Sequence, residues 1–324
     1  MYCPECGCEN PDEAIFCQNC GNKLVEPLEK SYIQSDFLDM ALKGKNNLWR
    51  YILGIIIIFT VFYGYALVIP EEVLTWGPVV NYIIQDSVYI FYILAIVFVI
   101  RFLHKRSFIS LITSGKSIYW RPILLGFALY FGLMLVLSFL PSYLTDPGSI
   151  SINPDLGMFL IFIPFLLILV PLQTTSEELF FRGYLLQGTG FLTRNFLILA
   201  VLNGILFMIL HLGNPEMATS PLAAVDWLLF GFIMAYITMK SGALELALGG
   251  HAANNLFFAL MANYENSAQS TPSLFFTADS SATMANEPIS ILISLLNIIL
   301  IPLLYYILLF IVQKIRGYCQ IDRG

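Results

Sequence analysis

Long apolar runs separated by short polar breaks dominate the chain from about residue 48 onward. They mark candidate spans near 48–70, 87–103, 119–140, 156–178, 195–212, 222–240, 243–263 and 289–312. Several approach or exceed the roughly 20 apolar residues that carry a helix across a bilayer. The pattern predicts an all-α membrane protein of about eight transmembrane helices, with the lipid bilayer as its solvent. Only the first 47 residues depart from it.

In that first stretch Cys3 and Cys6, then Cys17 and Cys20, form two C-x2-C pairs, each followed by glycine (Gly7, Gly21). Four thiolates in two tight pairs suit tetrahedral zinc, and a segment this short has no core of its own to fold on. A small zinc ribbon held by structural zinc at Cys3, Cys6, Cys17 and Cys20 is expected. Incidental cysteine pairs or a disulfide framework are the alternatives. Reduced ligands place the ribbon in the cytosol. Cys8 is a spare thiol or an alternative ligand, and Cys319 an ordinary free thiol. Residues 25–47 are polar and read as a tether, in which 37–42 has the pattern of a short interfacial helix.

Composition and charge sharpen the topology. The chain of 324 residues is 58% hydrophobic and 12% charged, with mean hydropathy +0.76, which excludes a soluble domain. No basic patch interleaved with aromatics occurs, so no nucleic acid partner is expected. No cleaved signal peptide is expected either. With the N-terminus inside, alternation of the spans puts all 16 basic residues on the inner side, and the outer loops carry only acids such as Glu71, Asp86, Asp155 and Glu216. Basic residues retained on the cytosolic side set orientation, so both termini of this multi-pass protein are expected in the cytosol.

Charges at membrane depth mark working sites. The fourth span ends in Ser176-Glu177-Glu178-Leu179-Phe180-Phe181-Arg182-Gly183. On a helix Glu178 and Arg182 share a face, while Glu177 points about 100° away. One carboxylate is then held by an internal cation and its neighbour stays available. The fifth span carries Phe207 and His211, with Asn203 a turn earlier, and the seventh carries His251 and Asn255 after Gly249-Gly250. Each later pair is four residues apart and projects from one face. The plainer readings are a helix end with a surface ion pair, a histidine bonding a backbone carbonyl, and an asparagine tying two helices together. Asp226, Glu245 and His104 are given no role.

A carboxylate acts as general base toward water, and a nearby imidazole shares the proton. A second imidazole and a carboxamide donate to a developing oxyanion. No serine or cysteine is placed as a nucleophile, so hydrolysis of an amide by water is the economical chemistry. Glu and two His also suit a metal, assembled across three helices because no H-E-x-x-H occurs.

Glu177-Glu178-x-x-x-Arg182, Phe207-x-x-x-His211 and His251-x-x-x-Asn255, in this order, resemble the three motifs of the CPBP (CAAX protease and bacteriocin-processing, or Abi) intramembrane proteases. Arg182-Gly183-Tyr184-Leu185 and the approach 242–251 also resemble that pattern. The resemblance covers roughly residues 156–263 and implies a helical membrane fold with an intramembrane catalytic cavity reached largely from the cytosol. It implies Glu177 as the water-activating base, Glu178 and Arg182 as an adjoining carboxylate and its partner, and His211 as a water-positioning group. His251 and Asn255 would stabilise the oxyanion, and Phe207 would shape the cavity.

The expected organisation is a zinc ribbon (1–24), a polar linker (25–47), three helices (48–155), the catalytic core (156–263), an outer loop (264–288) and a last helix with its tail (289–324). The leading function is an intramembrane endopeptidase acting on a membrane-associated peptide or protein, glutamate-type or metallo-type. The ribbon offers a surface for a cytosolic protein partner. A non-enzymatic scaffold or self-immunity protein on the same fold is the alternative. A transporter predicts inverted repeats or paired broken helices, which the chain lacks. Counting about 1.5 Å per residue, His211 lies about 24 Å along its span and His251 about 15 Å, so convergence of the motifs requires helices that start at different depths.

Overall fold

The computed structural model describes residues 6, 8–9, 17–21, 36–219, 222–264, 267–269, 271–277 and 298–311. Cys3 of the expected ribbon lies outside them. The chain divides into two compact units, Met1–Gln34 and Ser35–Gly324. In the smaller one, the Sγ atoms of Cys6, Cys17 and Cys20 all lie within 4.8 Å of one another. Cys6 and Cys17 are 3.5 Å apart, close to the edge of a tetrahedron with metal–sulfur bonds of about 2.3 Å. Gly21 supplies the left-handed backbone, φ +71°, that closes the turn after Cys20.

The larger unit is helical. Its long apolar helices are α1 (Leu48–Val68), α2 (Pro78–Leu103), α3 (Trp120–Leu144), α4 (Leu156–Thr189) and α6 (Leu222–Ser241), each long enough to cross a membrane. Two shorter apolar helices, α5 (Phe196–Leu210) and α8 (Ile298–Ile311), and the helix α7 (Glu245–Leu256) complete the described bundle. Among the described residues, then, five helices have spanning length, and a count of eight spans does not follow from helix length. The expected positions hold while several boundaries move. α2 begins at Pro78, nine residues before the expected start, so Asp86 lies within the helix and not in a loop.

Glycines set the closest helix contacts. A Cβ on Gly249 of α7 would lie 2.0 Å from the Ile123 carbonyl oxygen of α3. One on Gly231 of α6 would lie 2.8 Å from the Cα of Gly204 of α5. Without a strong hydrophobic force between helices in lipid, such backbone proximity is what packing energy is drawn from.

The bundle has a basic end, where the helix termini carry Arg50, Arg101, Arg121, Arg194 and Lys240, and an acidic end with Glu71, Asp155 and Glu216. At the acidic end, β1 (Ile150–Ile152), β2 (Ala262–Tyr264) and β3 (Phe275–Thr277) form a small sheet in the order β1-β3-β2. β1 runs antiparallel to β3 and β2 parallel to it. The first part of the segment expected to be a loop after residue 263 is therefore structured.

At the basic end, the stretch read as a tether is partly built into the core. Asp36–Asp39 and Met40–Lys43 form successive helical turns that bury Phe37, Leu38 and Ala41. The Phe37 carbonyl accepts from Gln187 of α4 at 3.2 Å, and Asp39 pairs with Arg194 at 2.8 Å. Apolar residues in the pattern of an interfacial helix find protein and not only lipid to cover.

Candidate active site

Three helices deliver the site. α4 carries both glutamates at its last regular turn, and a π-helical segment, Leu179–Leu185, follows directly. Such wide turns release carbonyls from the regular ladder and recur at functional sites. The Phe181 carbonyl within it accepts from Asn203 Nδ2 of α5 at 2.8 Å, so Asn203, singled out only for sharing a face with His211, braces the turn between Glu178 and Tyr184.

The two adjacent glutamates have separate surroundings. Glu178 is wholly buried, and its Oε1 accepts from Arg182 Nη1 at 2.8 Å and from His251 Nδ1 at 2.7 Å. Arg182 is also wholly buried, donates to the Gly231 carbonyl at 3.4 Å and stacks 4.6 Å from the centre of the Phe207 ring. The face-sharing spacing of Glu178 and Arg182 thus becomes a buried ion pair, not a surface one. Removing two charges from water is costly unless they are paired and hydrogen-bonded, which is what Gly231, His251 and Phe207 supply.

Glu177 keeps some exposure, its side chain being 12% exposed. Its Oε2 lies 3.8 Å from His211 Nε2 and 3.6 Å from His251 Nε2. Both contacts exceed direct hydrogen-bond length, and polar groups at such separations are often linked through water. His211 is the cap residue at the end of α5, and its Nδ1 lies 2.7 Å from the Phe207 carbonyl. A carbonyl only accepts, so Nδ1 carries a proton and Nε2 faces Glu177. The plainer reading of His211, a bond to a backbone carbonyl, is thus also realised, and it is what orients the ring.

Phe207, Phe230 and Trp227 wall the centre. Their rings lie 4.2 Å from His211, 4.9 Å from His251 and 5.5 Å from His211 respectively. Phe207 had been read from its motif; Phe230 and Trp227 had not, and their three-residue spacing on α6 was the available signal. Asn255 stands apart. Its Oδ1 accepts from Asn254 Nδ2 at 3.0 Å, and among the described residues no hydrogen bond joins it to Glu177 or to either histidine.

The depth conflict between the two histidine motifs resolves in the helix lengths. α5 spans only Phe196–Leu210 and brings His211 to Glu177 from its end, while α7 begins at Glu245 and brings His251 to the same carboxylate. As metal donors the residues divide cleanly. Among the described residues the cysteines are the group with donor atoms all within 4.8 Å; Glu177, His211 and His251 form no such group. The side chains therefore fit a metal at the ribbon, and no such cage is assembled at the glutamate–histidine centre.

His104 was expected in a basic loop without a role. It is instead wholly buried, with Nδ1 2.8 Å from the Lys45 carbonyl and Nε2 3.0 Å from the Tyr184 hydroxyl. Glu245 is buried too, accepting from Tyr119 N at 3.2 Å.

Comparison with known proteins gives the family. The family described as type II CAAX prenyl endopeptidase Rce1-like matches residues 158–257, the segment that holds all three motifs. A zinc-ribbon domain family matches residues 2–24. A Bacillus subtilis (strain 168) protein described as uncharacterized protein YyaK is 36% identical over 254 residues, covering 72% of this chain and 85% of that relative. Together with the five spanning-length helices, these matches make the chain a multi-pass membrane protein. It belongs to the Rce1-like CAAX protease family and carries a zinc-ribbon domain ahead of its helical core.

Proposed function

We propose that the protein is an intramembrane endopeptidase in which Glu177 activates the attacking water. The observation that carries this reading is the unequal partnering of neighbouring carboxylates. Glu178 is consumed by Arg182 and His251, while Glu177 faces two imidazole Nε2 atoms at 3.6 and 3.8 Å. Water held among these groups gives its proton to Glu177 as its oxygen bonds to the substrate carbonyl carbon. The proton then passes to the leaving amine as the carbon–nitrogen bond breaks. His211, whose Nδ1 is anchored on the Phe207 carbonyl and whose Nε2 faces Glu177, orients that water.

His251 is positioned by Glu178 through Nδ1, which turns its Nε2 toward the reacting centre to support the oxyanion. Asn255, a turn further along α7, joins as an oxyanion donor through its Nδ2, since its bond with Asn254 uses only Oδ1. Arg182 holds Glu178 in place. Peptides or proteins associated with the membrane are the substrate class. Cys3 completes the cysteine set, and zinc is the metal that set suits. The ribbon then serves cytosolic recruitment, and the distribution of basic residues supports both termini in the cytosol.

The test is cleavage of a quenched peptide library by the purified protein, with Glu177→Gln and a chelator as comparisons. Loss of at least about a hundredfold in Glu177→Gln, with activity kept under chelation, is expected. Equal activity in wild type and Glu177→Gln refutes the assignment. Loss under chelation, repeated in protein lacking residues 1–24, would assign the reaction to a metal.

A further inference from the structure

Helix α6 carries none of the motif residues, yet it reaches a side chain of each of the three motifs. The Trp227 ring is centred 5.5 Å from that of His211, and the Phe230 ring, one turn on, 4.9 Å from that of His251. The Gly231 carbonyl accepts from Arg182 at 3.4 Å. Trp227 and Phe230 share a helix face, and each meets one of the two imidazoles that face Glu177.

A glycine contact fixes this face against α5. A Cβ on Gly204 would lie 2.5 Å from the Leu228 carbonyl oxygen and 3.1 Å from the Phe232 amide nitrogen. Small residues are what allow two helix backbones to come this near. Leu228 directly follows Trp227, and Gly204 lies about two turns before His211. The close approach therefore sets where the indole meets the imidazole.

His211 has little else to hold it. It lies one residue beyond the last regular turn of α5, and Leu212 and Gly213 after it are exposed. Its Nδ1 lies 2.7 Å from the Phe207 carbonyl, and the Phe207 and Trp227 rings flank it at 4.2 and 5.5 Å. Their planes are tilted 32° and 35° from the imidazole, so both contacts are nearer to stacked than to edge-on. Nε2, the atom that faces Glu177 at 3.8 Å, moves whenever the ring turns.

The other tryptophans show the ordinary use of this side chain in a membrane protein. Trp49, Trp76 and Trp120 are 52%, 68% and 73% exposed and fit the aromatic belts found at membrane surfaces. Of the four tryptophans, Trp227 is the one that is half-buried against a motif side chain.

We infer that Trp227 is a positioning residue, holding the His211 imidazole so that Nε2 stays aimed at the attacking water beside Glu177. Its consequence for catalysis rests on the endopeptidase reading, whereas the held ring is a property of the folded chain. An aromatic contact of this kind favours one ring orientation over another by about threefold to tenfold. A ring that turns away takes that molecule out of reaction without weakening its hold on substrate.

Two measurements test this. The first is kcat and KM for peptide cleavage by wild type, Trp227→Leu, Trp227→Met and Trp227→Phe, each repeated with His211→Ala. Leu and Met keep apolar bulk without an aromatic face, so either serves if the other does not fold. For both, kcat is expected to fall about threefold to tenfold while KM stays within about twofold. Trp227→Phe recovers most of the loss. With His211→Ala already present, Trp227→Leu costs nothing further. A loss carried by KM, or one equal with and without His211, overturns the inference and makes Trp227 a substrate contact or a packing residue.

The second measurement needs no cleavage. The chain has three histidines, so isotopic labelling of their ring nitrogens gives a simple magnetic resonance spectrum in detergent, and loss on His211→Ala identifies the His211 Nδ1–H. That proton, held on the Phe207 carbonyl, is expected to give a retained signal in wild type and Trp227→Phe and to exchange away in Trp227→Leu. Dependence of the signal on an aromatic ring at position 227 upholds the inference even if no peptide is cut, an outcome that refutes only the protease reading. Absence of the signal from wild type, or its persistence in Trp227→Leu, overturns the inference whatever the activity.

Discussion

Two buried polar networks hang on α4 about two turns apart, and we propose only one of them as a site. At the basic end, Tyr184 meets His104 at 3.0 Å, and Gln187 accepts from Arg106 at 2.6 Å and donates to the Ser110 carbonyl at 2.8 Å. Backbone carbonyls take up much of this network: His104 reaches Lys45, Tyr184 reaches Arg50 and Tyr51, and Gln187 reaches Phe37. It contains no carboxylate. The other network, around Glu178, is as deeply buried, but its neighbour Glu177 is left half-partnered between two imidazoles. Burial of polar groups therefore marks architecture in one place and chemistry in the other. The distinguishing feature is a titratable group with its partners held just beyond bonding distance and some exposure.

The largest expected effects break the Glu178 network. Arg182→Met leaves a buried carboxylate without its cation, and loss of about 3–5 kcal/mol of stability is expected along with activity. Glu177→Gln, one residue from the same pair, should leave the thermal transition unchanged while removing activity. A thermal melt in detergent beside the peptide assay separates the two. If both variants melt alike, the division of labour between the glutamates is wrong.

Smaller and opposite in kind is Tyr184→Phe at the basic end. The hydroxyl bonds His104 and lies 3.3 Å from two carbonyls, so its removal leaves buried groups unsatisfied at a cost of about 1–3 kcal/mol. Activity per folded molecule should persist, because no atom of this network reaches Glu177. A variant that stays folded but loses activity would merge the two networks into one.

How much of this was legible depends on what each signal needed. The apolar runs located the helices because lipid imposes composition over a whole span. They misplaced the start of α2 because Asn81, Gln85 and Asp86 break the run. The hydropathy that marks a span is lowest where a helix turns a polar residue inward, so Asp86 looked like a loop residue. The ribbon was legible from spacing alone, since a metal fixes distances that a core does not. Glu178 and Arg182 were legible as neighbours on a face, but not their burial, which comes from Phe207, Gly231 and His251 on other helices. His104 was illegible for a similar reason: its neighbours in sequence are basic and polar, and its burial is set by Tyr51 and Tyr184. Asn255 was assigned with His251 because they share a face, yet it bonds Asn254 instead.

The finest contrast between the networks is in their response to pH. His104 lies just beyond α2, and burial is the main cause that lowers its pKa from 6.5 to about 4. Neutral His104 bonds Lys45 and Tyr184 in the folded protein, whereas in the unfolded chain the ring takes up a proton near 6.5. Between those values the unfolded state binds more protons, so stability falls as pH drops from about 6.5 toward about 4 and is fully present above that window. His104→Gln can still bond a carbonyl and a hydroxyl but does not titrate there. Its thermal transition is expected to start slightly lower at pH 7.5 and to lose less than wild type on acidification to pH 5. A pH dependence unchanged by His104→Gln would mean that the proton-sensitive groups lie elsewhere, and the basic-end network would lose its claim to be a purely architectural one with a single titrating member.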